Sequence, residues 1–466
     1  MLAARYPIEK GIESNAHHGD LRLTRLFPIL TTVCTLAVGP GATRALDLTI
    51  ACGRSAQETA LCRESTDTWA AKTGHRVQVI TTPPDDAQRL ARYLDLLQVR
   101  APELDVLEID ALWCGQLSAH LADLKPLIKD DNGPDHNGPD HNGPDHNRRD
   151  PDKAASDFLD PLIRNATLGG RLVALPWYLE LGLLYYRSDL FARYNLQIPR
   201  TWSEVEDAAL RIQEAQRLLG NTSFWGFVWP GGGDEALTAT AIEWISSQGG
   251  GTLVEPDGRV SVNNPRAQFA LQRAADWVRG ITPAAALTAT PQDNLDGFRT
   301  GAAGLMRNWS TAWTSLQDPQ TPVAERVAVA RLPKGAGAPA SVLGGGQLAV
   351  SRYSRHPTEA ASLVQHLTGA AVQRRRALDA GFNPTRADLY TDPELIAARP
   401  LLADLALVLP DLIARPSTPT GAQYPEVSAT FAAAVRAVLR GDATPDAALA
   451  GLQRTLDALS QNGTAW

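Results

Sequence analysis

Two carboxylates in the sequence occupy positions where an acid is costly unless a polar group meets it, and a third lies just beyond a predicted strand. Glu180 lies in the middle of the apolar run LPWYLELGLLYYR, Asp110 ends the apolar stretch LDVLEID, and Glu58 follows the first predicted strand. An unpaired carboxylate inside an apolar strand costs on the order of several kcal/mol. Each acid therefore predicts a polar partner or a ligand. Two such acids could also serve as the acid and base of a hydrolysis.

Aromatic side chains accompany these acids. The chain contains 11 Trp, 9 Tyr and 9 Phe, and both Trp177 and Tyr178 precede Glu180. Indole faces suit flat apolar ligand surfaces, although a buried core Trp is the commoner use. The glycine run at 231–233 lacks the Lys and Ser/Thr of a phosphate loop, which disfavours a nucleotide. No CxxC motif is present, so we expect neither a metal nor another cofactor.

The elements that must position these residues alternate between strand and helix. LDLTIACG and HRVQVITT are typical strands, and the helix between them begins at the capping-box pair of Ser55 and Glu58. DDAQRLARYLDLLQVR has helical spacing and leads to the strand that ends in Asp110. This order predicts an α/β fold with a parallel sheet and crossover helices. Ligands of such sheets lie beyond the carboxyl ends of the strands, where Glu58 and Asp110 fall.

The length of the chain indicates how many lobes it forms, and its net charge excludes some classes of partner. The 466 residues exceed what one hydrophobic core usually supports, so two lobes are expected. The formal net charge is −7, which gives no electrostatic footprint for nucleic acid or for an anionic membrane surface. We expect no nucleic-acid partner and a monomeric protein.

The amino-terminal 45 residues have the pattern of a secretory signal. RLTRLFPILTTVCTLAVGPGATRALDL contains a basic region, an apolar region and small residues near Ala45. This predicts export to the periplasm as a soluble protein, with a lipid anchor at Cys34 as the alternative. Three cysteines would remain after cleavage, an odd number, and Cys52 could pair with either Cys62 or Cys114.

Three tandem NGPDH pentapeptides interrupt the chain at 132–147. Asn-Gly and Gly-Pro are turn dipeptides, and no residue of the repeat could fill a core, so a disordered surface loop is expected. The repeated histidines do not predict a metal site, because a disordered segment forms no ligand cage in advance.

Six segments together resemble a known family. They are LEIDALWCGQL, LPWYLELGLLYYRSDLF, TWSEVEDAA, FWGFVW, GFRTGAAGLMRNWSTAW and LGGGQLAVS, and they occur in this order. They are similar to the extracytoplasmic sugar-binding proteins of ABC importers, and most to the trehalose/maltose-binding branch of solute-binding protein family 1. The resemblance runs from about Leu46 to the carboxyl terminus, apart from the NGPDH insert.

That resemblance implies a two-lobe, Venus-flytrap fold with hinge crossover strands and a ligand cleft between the lobes. Crossings are expected near Pro176, Asn308 and Gly345. The first lobe would comprise 46–175 and 309–345. The second, more helical lobe would comprise 176–308 and 346–466.

The resemblance also implies a set of sugar-binding residues. Acids accept sugar hydroxyls, arginines donate to them, and an aromatic ring covers an apolar sugar face. Several members have plainer alternatives, such as helix capping for Glu58 and a solvated helix face for Arg89. The set is Glu58, Arg89, Asp110, Tyr178, Glu180, Trp309, Gly345 and Arg415.

Three positions depart from the family pattern. Glu180 stands where the family commonly has Asp, which should alter its reach. Gly346 and Thr311 stand where close relatives carry aromatic residues. We expect part of the site to be wider, so that it accepts a larger oligosaccharide or binds the disaccharide less tightly.

The function implied is a non-catalytic receptor. It would capture an α-linked disaccharide, maltose or trehalose, or a short maltodextrin, and deliver it to inner-membrane permease subunits. One alternative is a glycoside hydrolase using Asp110 and Glu180, and the other is a sugar-sensing subunit of a membrane receptor.

Overall fold

A computed structural model describes residues 45–128, 155–463 and 466. The predicted signal segment and the NGPDH repeat lie outside these residues. The strands are β1 (Asp47–Ala51), β2 (Arg76–Ile80), β3 (Val106–Asp110), β4 (Thr167–Leu168), β5 (Arg171–Leu172), β6 (Leu175–Pro176), β7 (Glu180–Arg187), β8 (Trp225–Val228), β9 (Ala303–Trp309), β10 (Val327–Ala330), β11 (Ser341–Gly344), β12 (Gly346–Val350) and β13 (Leu412–Ile413).

Helices fill most of the remaining described chain. They are α1 (Ala56–Thr73), α2 (Asp86–Gln98), α3 (Trp113–Leu117), α4 (Asp160–Asn165), α5 (Ser188–Arg193), α6 (Trp202–Leu218), α7 (Asp234–Ser247), α8 (Pro265–Gly280), α9 (Pro291–Arg299), α10 (Ala312–Leu316), α11 (Pro357–Thr368), α12 (Ala370–Ala380), α13 (Pro393–Ala398), α14 (Leu401–Val408), α15 (Ser417–Thr420), α16 (Tyr424–Arg440) and α17 (Pro445–Leu459). Among these, none is long and apolar enough to cross a membrane.

Local sequence signals explain where the early helices begin and end. Helix α1 begins where the Ser55 side chain accepts a hydrogen bond from the backbone N–H of Glu58, at 3.2 Å. It ends at Gly74, whose φ of 74° is accessible to glycine at little cost. The capping box of Thr201 and Glu204 is complete at the start of α6. The start of α1 predicted from Ser55 and Glu58 is confirmed.

The first sheet has the strand order β2-β1-β3-β12-β6. Strand β1 pairs in parallel with β2 and with β3, so the predicted crossover arrangement with α1 and α2 is confirmed. Strand β12 joins this sheet antiparallel to β3. Ile50, Val106 and Leu348 are all fully buried in the core that covers the sheet.

The second sheet has the order β13-β11-β7-β9-β8, with β10 also paired to β7. Strand β7 is antiparallel to β9, β10 and β11. Seven of its eight residues are buried, because separate hydrophobic clusters cover the two faces of the sheet. A continuous apolar run with one polar end is the sequence pattern of such a central strand.

The run from 175 to 187 is divided between the two sheets. Strand β6 belongs to the first sheet and β7 to the second, so the chain crosses between them at 177–179. A second crossing lies at Gly345, between β11 and β12. The backbone N–H of Leu179 also donates to the carbonyl of Asn383 at 2.9 Å. The crossings expected near Pro176 and Gly345 are therefore present, with a third chain segment beside them.

The strand pairing corrects the expected lobe boundaries. Strands β10 and β11, within 309–345, pair with β7 and belong to the second sheet rather than the first. Strand β12 pairs with β3 and β6, which places the start of 346–466 in the first sheet. The chain makes no crossing at Asn308, because β9 stays paired with β7 through Trp309, after pairing with β8 as far as Met306.

The structure also decides between the two possible disulfides. Cys52, directly after β1, is bonded to Cys62 in α1. Cys114 is a free, buried thiol whose Sγ lies 3.4 Å from Oε1 of Gln347. The disulfide closes a short loop that contains Arg54 and Glu58.

Candidate functional site

A cavity of about 350 Å³ lies at the ends of strands from both sheets. On the first lobe it adjoins the residues that follow β1 and β3, and on the second lobe the start of β7 and the ends of β9 and β11. This is where an open α/β sheet places its ligands. The lining residues are Arg54, Asp86, Ala87, Leu90, Asp110, Leu112, Trp113, Gln116, Glu180, Glu235, Ala236, Trp309, Gly344, Gly345, Arg415, Tyr424 and Pro425.

Most of the predicted site residues meet in this one cavity. The lining includes Asp110, Glu180, Trp309, Gly345 and Arg415. The other three predicted residues, Glu58, Arg89 and Tyr178, lie outside the lining. Each of these three contacts a side chain that does line the cavity.

Arg54 organises one end of the cavity. Its guanidinium lies 3.7 Å from a carboxylate oxygen of Glu58, 4.0 Å from one of Asp86 and 3.9 Å from one of Glu180. Its Nη2 donates to the hydroxyl of Tyr178 at 2.5 Å. We call these five residues the Arg54 cluster. The ion pairs in it are long, so its carboxylates keep capacity to accept other hydrogen bonds.

Glu58 and Tyr178 act within this cluster as supports. Oε2 of Glu58 accepts the backbone N–H of Arg54 at 2.9 Å, rather than that of Ser55 as a capping box requires. The Tyr178 hydroxyl donates to Oε1 of the buried Glu108 at 3.2 Å. Burial raises the pKa of Tyr178 well above its ordinary value, so its hydroxyl remains a donor. Tyr178 therefore holds Arg54 from behind instead of forming the cleft wall.

The acid in the apolar run at 175–187 meets Arg54. Glu180 is the first residue of β7, and its side chain is 21% exposed at the cavity. Burial raises the pKa of Glu180 to about 7, against the opposing charge of Arg54 and with the nearby charges of Asp110, Asp86 and Glu58. An arginine 3.9 Å away offsets only part of the cost of burying this carboxylate.

Asp110 ends β3 on the first lobe and has spare acceptor capacity at the cavity. Its Oδ1 accepts the backbone N–H of Leu112 at 2.9 Å. Burial raises the pKa of Asp110, while the charges of Arg415 and Arg54 oppose that rise. An acid at the end of a buried strand, with lone pairs facing a cavity, suits a ligand that donates hydrogen bonds.

A second arginine cluster forms the other end of the cavity. Nη1 of Arg415 donates to Oε1 of Glu235 at 2.6 Å, and the same oxygen accepts the Tyr424 hydroxyl at 2.7 Å. Oε2 of Glu235 accepts the Ser428 hydroxyl at 2.8 Å. We call these four residues the Arg415 cluster. Its bonds are short, and Arg415 is only 6% exposed.

Sequence reasoning missed several lining residues for which a signal existed. Arg54 stands between the end of β1 and the helix cap at Ser55, at a strand end where ligands bind. Glu235 lies in the first turn of α7, directly after the glycine run at 231–233. That run predicts a loop next to a helix amino terminus even where it excludes a phosphate loop. Asp86 and Trp113 begin α2 and α3 in the same way.

Two adjacent glycines at the crossing have different roles. Gly345 has φ 108°, and a side chain there would collide with the carbonyl of Tyr178. A side chain at Gly346 would collide with the Tyr178 ring. The space expected to be vacant at Gly346 is therefore occupied by Tyr178, and Thr311 is an exposed residue outside the lining. The prediction of a wider site at these two positions is wrong.

Other candidate features fit a binding site less well. Trp229, which borders the glycine run, is completely buried in the core. A larger groove of about 610 Å³ is lined chiefly by apolar residues of the second lobe, including Ile198 and Leu407. It has few convergent polar groups, whereas ligand sites combine apolar walls with several. Among the described residues, no cluster of His, Cys, Asp or Glu could hold a metal ion.

Known proteins share both the sequence and the fold. Residues 56–374 match the family described as bacterial extracellular solute-binding protein. A probable ABC transporter-binding protein from Deinococcus radiodurans is 38% identical over 421 residues, which cover 90% of this chain and 95% of that protein.

Two solved structures illustrate the range of ligands among similar folds. Maltose-bound MalE3 from T. maritima is 29% identical with a TM-score of 0.73, covering 89% of this chain and 100% of that one. A solute-binding protein from Agrobacterium radiobacter K84 in complex with ribitol is 22% identical with a TM-score of 0.69, covering 89% of this chain and 98% of that one. The predicted two-lobe binding-protein fold is confirmed.

Proposed function

Because the chain belongs to the bacterial extracellular solute-binding proteins, we propose that it is the substrate-binding protein of an ABC sugar importer. The observation that carries this proposal is the cavity at the strand ends of both lobes, which is lined by acids, arginines and indoles from both. These groups match a pyranose, whose hydroxyls surround the ring and whose faces carry C–H groups. The family is one of binding proteins, so the carboxylates Asp110 and Glu180 serve as hydrogen-bond acceptors rather than as a hydrolytic pair.

The preferred substrate is an α-linked disaccharide, maltose or trehalose, or a short maltodextrin. The maltose complex of the T. maritima protein supports this choice, since that protein is similar to this chain over nearly its whole length. Trp113 on the first lobe and Trp309 on the second both line the cavity. A ligand with two pyranose rings can use both indoles, whereas an open-chain polyol presents no ring face to either.

Transport follows from closure of the lobes. A sugar that contacts Asp110 on one lobe and Trp309 on the other is bound best when the lobes are together, so it shifts the population to the closed state. The closed molecule then presents a surface to the membrane permease. The disulfide between Cys52 and Cys62 supports export to the periplasm, where such bonds persist.

Calorimetry with a panel of maltose, trehalose, maltotriose, mannitol and ribitol tests the proposal. We expect stoichiometric binding of at least one α-linked disaccharide, without release of glucose. Trp309→Ala should weaken that binding at least tenfold, because it removes a ring face. Trp313→Ala, four residues away and outside the cavity lining, is the matched control.

Each alternative has its own signature in this experiment. Catalytic release of glucose from maltose would show that the protein is a hydrolase and not a receptor. Tight binding of mannitol or ribitol, with disaccharides excluded, would keep the transport role but overturn the substrate class.

A further inference from the structure

Two tryptophans line the cavity, one from each lobe. Trp113 is the first residue of α3 on the first lobe, and it is 5% exposed. Trp309 ends β9 on the second lobe and is partly exposed. The two side chains thus contribute ring surface to the same cavity from opposite lobes.

A buried arginine lies against each of these rings. The guanidinium carbon of Arg89 lies 4.9 Å from the centroid of Trp113, and that of Arg307 lies 4.4 Å from the centroid of Trp309. Arg89 is 2% exposed and Arg307 is completely buried. Arg415 also approaches Trp309, at 5.7 Å, but it belongs to the cavity lining.

Each arginine is anchored by an acid on one side only. Arg89 donates through Nη2 to Asp86 at 2.6 Å. Arg307 forms two bonds to the buried Glu243, from Nε at 2.8 Å and from Nη2 at 2.6 Å. A forked contact of this kind fixes the plane of a guanidinium.

The remaining buried N–H groups of the two arginines have no hydrogen-bond acceptor. These are Nε and Nη1 of Arg89 and Nη1 of Arg307. Leaving a buried donor unsatisfied is costly, and a nearby indole face compensates by attracting the cation. The indole and the guanidinium therefore fix each other's position.

We propose that Arg89 and Arg307 are positioning residues that hold Trp113 and Trp309 as a pair of ring walls, one on each lobe. Each arginine lies against its indole, and both indoles are part of the cavity lining. The pair is suited to a ligand with two sugar rings and gives less to a monosaccharide, which can engage one wall at a time. This inference rests on the proposed sugar-binding function.

The test uses Arg89→Gln and Arg307→Lys in the full-length protein. Arg89→Gln removes the cation beneath Trp113 and leaves Asp86, whose side chain is 57% exposed, in solvent. Arg307→Lys keeps a charge for Glu243 but loses the planar contact. The control is Arg217→Gln, because Arg217 lies 4.7 Å from the centroid of Trp225, outside the cavity lining.

The first measurement is the ratio of the dissociation constants for glucose and maltose. We expect each test variant to lose about threefold to tenfold in maltose affinity, because only part of the cation–π energy that holds the ring is expressed in ligand binding, with a smaller loss for glucose. The ratio should therefore fall. The control should leave it unchanged within twofold.

The second measurement is ¹⁹F NMR of protein containing 5-fluorotryptophan, with signals assigned by Trp113→Phe and Trp309→Phe. In the ligand-free protein, Arg89→Gln should broaden or split the Trp113 signal alone. Arg307→Lys should do the same to the Trp309 signal alone. A general loss of stability would not select one ring in this way.

Unchanged Trp113 and Trp309 signals in both variants, or an unchanged ratio of dissociation constants, would overturn the inference. If Arg307→Lys does not fold, the ratio of dissociation constants and the Trp113 signal of Arg89→Gln test the inference alone. If the wild-type protein binds no sugar of the panel, the proposed function fails separately, and the ¹⁹F signals of the ligand-free protein still decide whether the arginines position the rings.

Discussion

The two arginine clusters of the cavity use the same residue types in opposite ways. In the Arg415 cluster, Glu235 accepts three side-chain hydrogen bonds of 2.6 to 2.8 Å. In the Arg54 cluster, the ion pairs of Arg54 span 3.7 to 4.0 Å, and its short bond goes to the neutral Tyr178 hydroxyl.

This difference separates a preformed support from a surface that is ready to bind. The carboxylate of Glu235 already accepts three hydrogen bonds within the protein, so it has little capacity left for a ligand. Glu180 and Asp110 have lone pairs available to a ligand, and burial raises the pKa of both carboxyl groups. A carboxylate oxygen with a free lone pair beside the cavity contributes most when a ligand donates a hydrogen bond to it. We therefore expect binding energy to concentrate at Asp110 and at the Arg54 cluster.

Asp110→Asn should have the largest effect on affinity. The substitution keeps the shape of the side chain and replaces one acceptor oxygen by an amide donor. A hydrogen bond to a charged group contributes about 1.5 to 3 kcal/mol, so maltose affinity should fall about tenfold to 100-fold by calorimetry. Unfolding stability should not fall, because the buried charge is removed.

Asp404→Asn is the control for that variant. Burial raises the pKa of Asp404 as well, but Asp404 lines the larger apolar groove of the second lobe. The Asp404→Asn protein should bind maltose with the same affinity as the wild type. If Asp110→Asn lowers maltose affinity by less than threefold, Asp110 is not a principal hydrogen-bond acceptor for the ligand.

Gly346→Ala should disturb the Arg54 cluster from behind. The new methyl group would displace the Tyr178 ring, and with it the hydroxyl that accepts from Arg54. Overpacking of this kind costs about 1 to 3 kcal/mol of stability. We expect a lower melting temperature together with a loss of sugar affinity of about tenfold.

Gly297→Ala provides the matched glycine. Gly297 lies inside α9 with open space around the position of a methyl group. Alanine should stabilise that helix by about 0.5 to 1 kcal/mol and leave affinity unchanged. If Gly346→Ala behaves like Gly297→Ala, Tyr178 does not support the site.

The features of the fold and site that could be predicted are those with a local signature. The start of α1 at Ser55, the end at Gly74 and the acid at the end of β3 depend on neighbouring residues in the sequence. The acid in the apolar run at 175–187 indicated a polar partner, which is Arg54, whereas the crossing near Pro176 was implied only by the family resemblance. In each case the physical constraint operates within a few residues.

The features that escaped prediction depend on contacts between distant segments. Tyr424 and Glu235 are 189 residues apart, and neither position alone indicates an acceptor saturated by three donors. Arg89 has the helical spacing of a surface residue but lies under Trp113. Gly346 indicated an empty space because the ring that fills it belongs to Tyr178, which lies in the crossing between β6 and β7.

Glu235→Gln tests the other side of the comparison. Arg415 is nearly buried, so losing its charged partner should lower the free energy of unfolding by about 1 to 3 kcal/mol. Sugar affinity should fall by less than about fivefold, because Glu235 has little capacity left for a ligand. An affinity loss larger than that of Asp110→Asn would reverse the roles assigned to the two clusters.

The last expected effect is a dependence of stability on pH caused by Glu180. Its pKa in the folded protein is about 7, against an ordinary value of 4.5. Between these values the folded state binds more protons than the unfolded state, so this group makes the protein less stable as the pH rises. Glu180→Gln lacks that contribution. The stability of the variant minus that of the wild type should therefore increase between pH 5 and about 7 and stay level above.

Thermal unfolding of both ligand-free proteins across pH 5 to 8 measures this difference. Glu204→Gln is a control of opposite sign, because a backbone hydrogen bond from Arg200 lowers the pKa of Glu204, so its contribution changes only below pH 5. A level difference for Glu180→Gln would mean that Arg54 compensates the buried charge fully. The charges of the Arg54 cluster would then be as fully compensated within the protein as those of the Arg415 cluster. The proposed difference between a cluster that binds ligand and a cluster that only supports the cavity would not hold.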